Sequence, residues 1–568
     1  MAVVAGVMLA AGCDSEPPAR PPASASPSVP AAPAPDAGEQ SRTVDAAGDR
    51  VSVSVGPLVR SGETVVLSIR ARVERIAGGL GSTVVSRHFS GGRSTSFAGG
   101  RLVDERSRRV HLVAESSSGG CVCTGSLRLG AGDSATLQAA FAGVPAEVDR
   151  LSVMLPYAGV FADVPVVAGP VPAPAEGEEP LRLDDAASRV AELGAYTERL
   201  DVGLRARRTP ERVDLELDTD VLFRVDNARL TPAAEKTVAA AVADIAAAGG
   251  GPLTITGHTD DTGSTAHNQR LSRARAEAVA GALRGRLPDQ RWPKTVAARG
   301  ESQPLVPNES EAQRARNRRV TVSFRAAQPP AASGAAAPSA GATPSVNATA
   351  PGGGAAPNVS GPAPGGGVAP NVSGLAPGGG AAPGGGAAPG GSTATAGSPS
   401  GAASPGGTGP SVSTKLPPAK GVVGTARDGV QITLPLNRGT VRFTPGPATV
   451  RGAFLQVDLV VRNVGADKAT ILDYLGQGVF TTRDEFDPYA PYGAAGVRLI
   501  SGDTAAYPVD YELEEGNHRC LCDRLLNQAI PPGTGQVLAL WFPAPAAGTT
   551  SAVIDVPGKF RITGIAVS

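Results

Sequence analysis

Long apolar runs are missing from this chain. Beyond its first dozen residues nothing approaches the ~20 consecutive apolar side chains that a membrane-spanning helix needs, and no series of amphipathic barrel strands takes their place. An ion-driven stator or a porin architecture is therefore not expected. Net charge is missing as well: 52 Lys+Arg balance 52 Asp+Glu, so no global field points to nucleic acid. Lysine is scarce among the basic residues, and this arginine bias, with abundant Ala and Gly, reads as the mark of a high-GC genome. A single Arg is then weak evidence of function. Catalytic signatures are also lacking, with no nucleophile-elbow sequence, no phosphate-binding Gly loop and no carboxylate pair with an assigned base. Neither an enzyme nor a cofactor is expected. What is plentiful is Gly (73) and Pro (51) in 568 residues, so part of the chain cannot build a core, although its length allows roughly three or four domains.

The chain begins MAVVAGVMLAAGC, an apolar run ending in small residues before Cys13, and continues into a Pro/Ala/Ser tract. This start resembles the lipobox of bacterial lipoproteins. The resemblance implies that residues 1–13 are a lipoprotein signal whose Cys13 carries a membrane-anchoring lipid. Residues 14–41 have the composition of a disordered stalk, and residues 327–418 that of a Gly/Pro/Ala-rich linker containing a tandem APNVSG repeat. Random-coil scaling gives that linker a reach on the order of 50 Å, so whatever follows it is expected to move freely.

The regions 45–168 and 420–568 read as related all-β sandwich modules. In the first, Leu67, Ile69, Ala71 and Val73 alternate with polar positions, and in the second Leu455, Val457, Leu459 and Val461 do the same. Each carries a Cys-x-Cys, Cys121/Cys123 and Cys520/Cys522, and in each the second cysteine precedes a phenylalanine by 38 residues (Phe161, Phe560). The LQVDLVVRNVG strand resembles those of immunoglobulin-like modules. An even set of four cysteines outside the cytoplasm normally pairs. Residues i and i+2 of a flat strand lie about 6.6 Å apart, so closure within one Cys-x-Cys needs a bend. A structural bridge is favoured over a redox pair or a soft-metal site, because no His or third Cys stands at ligand spacing.

Between 186 and 326 strands alternate with helices in a βαβαββ order. VDLEL, LTITGH, KTVAARG and VTVSF are the strands. Thr231 and Pro232 open one helix, which ends at Gly249, and a second begins near Asn268. On this second helix Asn268, Leu271, Ser272 and Arg275 share a face, while Arg270 and Arg273 point elsewhere. Asp260, in the preceding loop, can face Arg275. A carboxylate and a guanidinium across a groove suit a zwitterion, the one taking an ammonium and the other a carboxylate. The alternative is that the two pair with each other at the surface. His258 and His267 lack a third ligand, so no metal is expected. Residues 253–325 hold 13 Lys/Arg against 7 Asp/Glu, a local excess that favours an anionic polymer.

TITGHTDDTGSTAHNQRLSRARAEAV, with ARGESQPLVPNESEAQRARNRRVTVSF, resembles the OmpA-like peptidoglycan-binding domain, whose marks are a GHTD-x-x-G loop, an N-x-x-LS-x-x-RA helix start and a terminal NRRV strand. The resemblance implies that Asp260 and Arg275 bind the diaminopimelate of a peptidoglycan stem peptide, with Asn268, Leu271, Arg318 and Asp226 lining the pocket. Arg224 departs from the pattern, since the family often has an acidic residue after Phe223. The expected protein is a non-enzymatic, lipid-anchored, extracytoplasmic one that couples membrane to wall. The alternative is an adhesion or protein-recruiting protein whose β modules, with exposed aromatics such as those of residues 484–493, meet an unidentified protein partner.

Overall fold

Period-two alternation becomes paired strands on both sides of the central domain. Thr64–Arg75 lies between Asp49–Val55 and Ser134–Ala142, and Phe454–Asn463 lies between Thr440–Arg451 and Gly535–Pro543. Opposite the first set stand Arg101–Asp104, Arg109–Leu112, Arg150–Leu155 and Gly159–Ala168. Opposite the second stand Arg498–Ser501, Thr504–Ala506, Ser551–Val556 and Phe560–Ala566, joined in the same order. Leu67, Phe141, Val153 and Phe161 fill one core, and Val457, Leu540, Ile554 and Phe560 fill the other. Each region is thus two facing sheets with one pattern of pairing. These features come from a computed structural model that describes residues 39–326 except 93, together with 418–476, 493–513, 518–523 and 529–568. Cys13, almost all of the stalk, nearly the whole linker and most of the 484–493 segment lie outside the described residues.

The cysteines pair within each Cys-x-Cys. Cα separations of 5.3 Å for Cys121–Cys123 and 5.2 Å for Cys520–Cys522 show the bend that a flat strand lacks. Cys123 bridges to Ala139 and Cys522 to Leu540, each the sixth residue of its partner strand. The two pairs therefore occupy equivalent places.

The central sheet has the order Val190–Arg199, Leu204–Arg208, Arg212–Asp218, Arg319–Arg325, Leu253–His258, Lys294–Gly300, with only the last pair parallel. Helices Ala234–Ala247 and Thr265–Arg284 cover one face through Val238, Ala241, Ile245, Ala276, Val279 and Leu283. The Thr231 hydroxyl accepts from the Ala234 N–H, and Gly249 takes a left-handed φ of 84° just past the helix end. The first two strands and the short helices Thr219–Leu222 and Glu311–Asn317 are additions to the order read from the sequence.

The strand Val190–Arg199 overturns the expectation of a freely moving second β region. One edge pairs with Leu204–Arg208. Along that same edge the strand meets Arg109–His111 of the first β region, and its opposite edge meets Asp510–Tyr511 and Thr504–Ala506 of the second. Gly194 leaves room there for the Asp510 carboxylate, whose Oδ1 would stand 2.2 Å from a Cβ. Beside this seam Val103, Val110 and Met154 pack against Phe454, Ala539 and Trp541. Strands buried on both faces cannot alternate, which is why Arg150–Leu155 and Gly535–Pro543 read as nearly continuous apolar runs. Arg42 and Asp458 (3.7 Å) and Arg451 and Asp163 (3.2 Å) add ion pairs across the contact.

Two carboxyls near this contact are held above their ordinary range. Burial pushes Asp523 up to about 7, against the Ala539 N–H it accepts from and nearby Arg101, and pushes Asp458 up to about 6 against Arg42. A carboxyl whose pKa is raised by folding favours the protonated native state. Its contribution is present below the unfolded value near 4 and is lost as pH rises through the folded value. These two groups alone should therefore lower thermal stability between pH 4 and 7, against the opposite slope of the buried His111 and His258, whose pKa values are pushed down. Asp523→Asn, which keeps an acceptor for Ala539, should flatten that slope by up to about 1.4 kcal/mol per pH unit. Calorimetry across this range checks it, and an unchanged slope in the variant would refute the assignment.

Candidate functional site

The strand Leu253–His258 ends beneath the first turns of helix Thr265–Arg284, and one glycine sets the spacing. A Cβ on Gly257 would lie 2.0 Å from the Ser272 carbonyl oxygen, so only glycine lets the helix approach this closely. Ser264 caps the helix, its hydroxyl accepting from the His267 N–H at 3.3 Å. The helix thus starts three residues before Asn268, whose own N–H already bonds the Ser264 carbonyl. The free N–H groups belong to the turn before it.

A groove of about 950 Å³ opens where this strand, the helix and the loop after Phe223 meet. Asp226, Asp260, Asn268, Leu271, Arg275 and Arg318 all border it. Asp260 and Arg275 do not pair with each other. Asp260 is buried, accepting from Arg318 Nη1 at 2.8 Å and from the Thr262 N–H at 3.0 Å. Burial pushes its carboxyl up, but those donors outweigh burial and hold it below the usual carboxylate range. Arg275 is also buried. Its Nε donates to the Asn227 carbonyl at 3.1 Å, and its guanidinium carbon stands 5.4 Å from the Phe223 ring centre. Among the described residues no carboxylate forms an ion pair with it. Burial lowers its pKa, opposed by Asp220 and Asp226.

Arg318, immediately ahead of the strand Arg319–Arg325, holds three carboxylates. Nη1 reaches Asp260, Nε and Nη2 reach Asp220 at 2.9 and 2.7 Å, and Nη2 reaches Glu311 at 2.8 Å. Those bonds raise its pKa, Asp220 first. Its charge is spent inside the protein. Asn268 is likewise committed internally: its amide donates to Glu301 and, at 3.4 Å, to the Asp260 carbonyl. It ties the loop in place more than it faces the groove. Leu271 supplies a half-buried apolar wall. Asp226 sits exposed at the mouth with a left-handed φ of 56° and pairs with His267 at 2.7 Å. His258 is buried elsewhere, and burial, with Arg319 close by, pushes it down to about 3, so it stays neutral. Among the described residues no three His, Cys, Asp or Glu side chains converge in a way that could hold a metal ion.

Sequence reasoning missed Asp220, Glu311 and Glu301. Asp220 lies in a short helix whose N-cap Asp218 accepts from the Asp220 N–H, and no periodicity marks it. Glu311 opens a helix capped by Ser310, and that Ser-Glu start was a readable signal. Glu301 follows Gly300 at the end of its strand and holds both Asn268 and the Thr265 hydroxyl.

Residues 222–318 match the model of the OmpA family. The chain is similar to lipoprotein YfiB of Escherichia coli K12, 33% identical over 110 residues that make up 19% of this chain and 68% of that protein. It is also similar to the outer-membrane lipoprotein YfiB of Pseudomonas aeruginosa, 33% identical over 19% of this chain and 62% of the relative. Outer membrane porin F of Pseudomonas fluorescens is 43% identical over 13% of this chain, but only 22% of the porin is spanned. Among solved structures, the cell wall anchor of the T6SS from Pseudomonas aeruginosa aligns at 28% identity over 20% of this chain and 82% of its own, with a TM-score of 0.18.

If Arg318 is what holds Asp260 ionised, Arg318→Gln should make the Asp260 carboxyl titrate at higher pH. Carbon-detected NMR of the carboxyl groups reads this directly. A curve that stays where it is in the wild type would mean that the Thr262 N–H suffices.

Proposed function

Because the chain belongs to the OmpA family through its central domain, we propose that it is a non-enzymatic cell-envelope protein that binds peptidoglycan non-covalently. The ligand group is the diaminopimelate of the stem peptide, whose side chain ends in an ammonium and a carboxylate on one carbon. The observation that carries this reading is that Asp260 and Arg275 border one groove without neutralising each other. Arg318 and the Thr262 N–H hold Asp260 charged, and a carboxylate has lone pairs left for an ammonium after accepting both bonds. The Arg275 guanidinium, anchored through Nε, offers its remaining donors to a carboxylate in two parallel bonds. Leu271 and Phe223 supply apolar walls for the methylenes between.

A lipid at Cys13 would fix the chain to a membrane, and the groove would hold the wall, so the protein would couple the two. The paired-sheet regions, which we take to be immunoglobulin-like, would act chiefly as a body that carries the groove. The adhesion reading draws less support, since parts of their apolar faces are spent on each other. Removing 420–568 would uncover Val103, Val110 and Met154, so single substitutions test the site more cleanly than truncation.

The full chain should co-sediment saturably with isolated diaminopimelate-containing sacculi. Asp260→Ala and Arg275→Ala, each verified as folded by circular dichroism, should weaken binding by about thirtyfold or more, since each leaves a desolvated charge without its partner. Retained binding in both variants would assign the wall contact to another surface.

A further inference from the structure

The groove carries a second unspent cation. Arg224 borders it, is exposed, and among the described residues has no ion-pair partner. Arg318, by contrast, is committed to three carboxylates, and Arg275 is the guanidinium assigned to the zwitterion. Arg224 is also held at the mouth by its backbone. It opens a tight turn in which the Asn227 N–H donates to the Arg224 carbonyl at 3.1 Å. The same Asn227 accepts from Arg275 Nε through its own carbonyl, and Asp226 between them is latched to His267. The turn that displays Arg224 is therefore tied to the residue that anchors a ligand carboxylate. Val225, the next residue of the turn, is 96% exposed while bordering the same groove, the most exposed large apolar side chain among the described residues. An apolar residue left bare at the lip, beside a cation with nothing to neutralise, is a surface suited to a ligand that extends past the groove.

Resting on the reading of the groove as a stem-peptide site, we propose that Arg224 and Val225 form an outer subsite for an unamidated carboxylate carried on the same peptide as the zwitterion. Val225 contacts the peptide's aliphatic portion where it leaves the groove, and Arg224 meets the free α-carboxyl of the neighbouring isoglutamyl residue. Amidation of that carboxyl replaces an anion by a neutral group, so the subsite distinguishes the two forms of stem peptide. Arg224 is a specificity-determining residue here, and Asp260 with Arg275 remains the primary anchor.

The test is calorimetric titration of the full chain with two synthetic stem tetrapeptides, both containing diaminopimelate and differing only in whether the isoglutamyl α-carboxyl is free or amidated. Wild type should prefer the free form by up to about fivefold, the ceiling for an exposed ion pair, with the gap closing as salt is raised. Arg224→Gln should abolish the preference, bringing the two peptides to equal affinity. Equal binding of both peptides by wild type, or a preference that persists in Arg224→Gln, overturns the outer subsite while leaving the primary site standing. Binding of neither peptide by wild type overturns the stem-peptide reading itself, and the subsite with it.

Discussion

One ten-residue strand holds the described parts of this chain together. Val190–Arg199 bonds along one edge to the first β region and then to the next strand of the central sheet, and along the other edge to the second β region. Because the ladder bonds are directional, the sheets cannot shift against one another without breaking them. The strand is also the first of the six in a sheet that leads, through Arg212–Asp218 and Arg319–Arg325, to Leu253–His258, two residues before Asp260. Tyr507 with Glu198, and Arg199 with Asp503, add side-chain bonds along the seam.

Within the groove, the decisive feature is an uneven distribution of partners. Arg318 faces three carboxylates, and among the described residues Arg275 pairs with none. Had the two guanidiniums shared those carboxylates evenly, the site would be a closed network of internal ion pairs with little to offer a ligand. Concentrating the internal pairing on Arg318 keeps Asp260 ionised at the pH where Arg275 is also charged. Gly257 makes this asymmetry possible, since it lets the helix come down far enough for Arg275 to be buried against Phe223.

Much of this was legible in the sequence, for stated physical reasons. The face shared by Asn268, Leu271 and Arg275 follows from helical spacing, and Thr231 and Gly249 announced their helix ends through capping chemistry. The paired strands of the two β regions followed from period-two alternation. The partner of Asp260 was not legible: whether it faced Arg275 or Arg318 depends on where Asp220 and Glu311 fall, and those sit on short helices with no periodicity to read. Asn268 was placed on the helix and borders the groove, while its internal bond to Glu301, which spans 33 residues, had no signal in the sequence. The seam strand escaped because its residues are only partly alternating and one of its edges pairs with segments more than 300 residues away.

The contact between the β regions had a signal that alternation alone conceals. LSVML and VLALWF break period two by being apolar at every position or nearly so, which in an antiparallel sheet means that both faces are covered. The inner faces belong to their own cores, so the outer faces needed a cover, and the two runs cover each other through Met154 and Trp541. The separation in sequence is a weak obstacle to that pairing. The entropy of closing a loop rises only with the logarithm of its length, each doubling adding about 0.6 kcal/mol, so a linker of some 90 residues opposes the contact little more than a much shorter one would. The described residues on either side of it, up to 326 and from 418, belong to one compact unit. The composition of residues 327–418 led to the expectation of a leash for a mobile domain, but composition of that kind carries no information about how the residues on either side of it pack together.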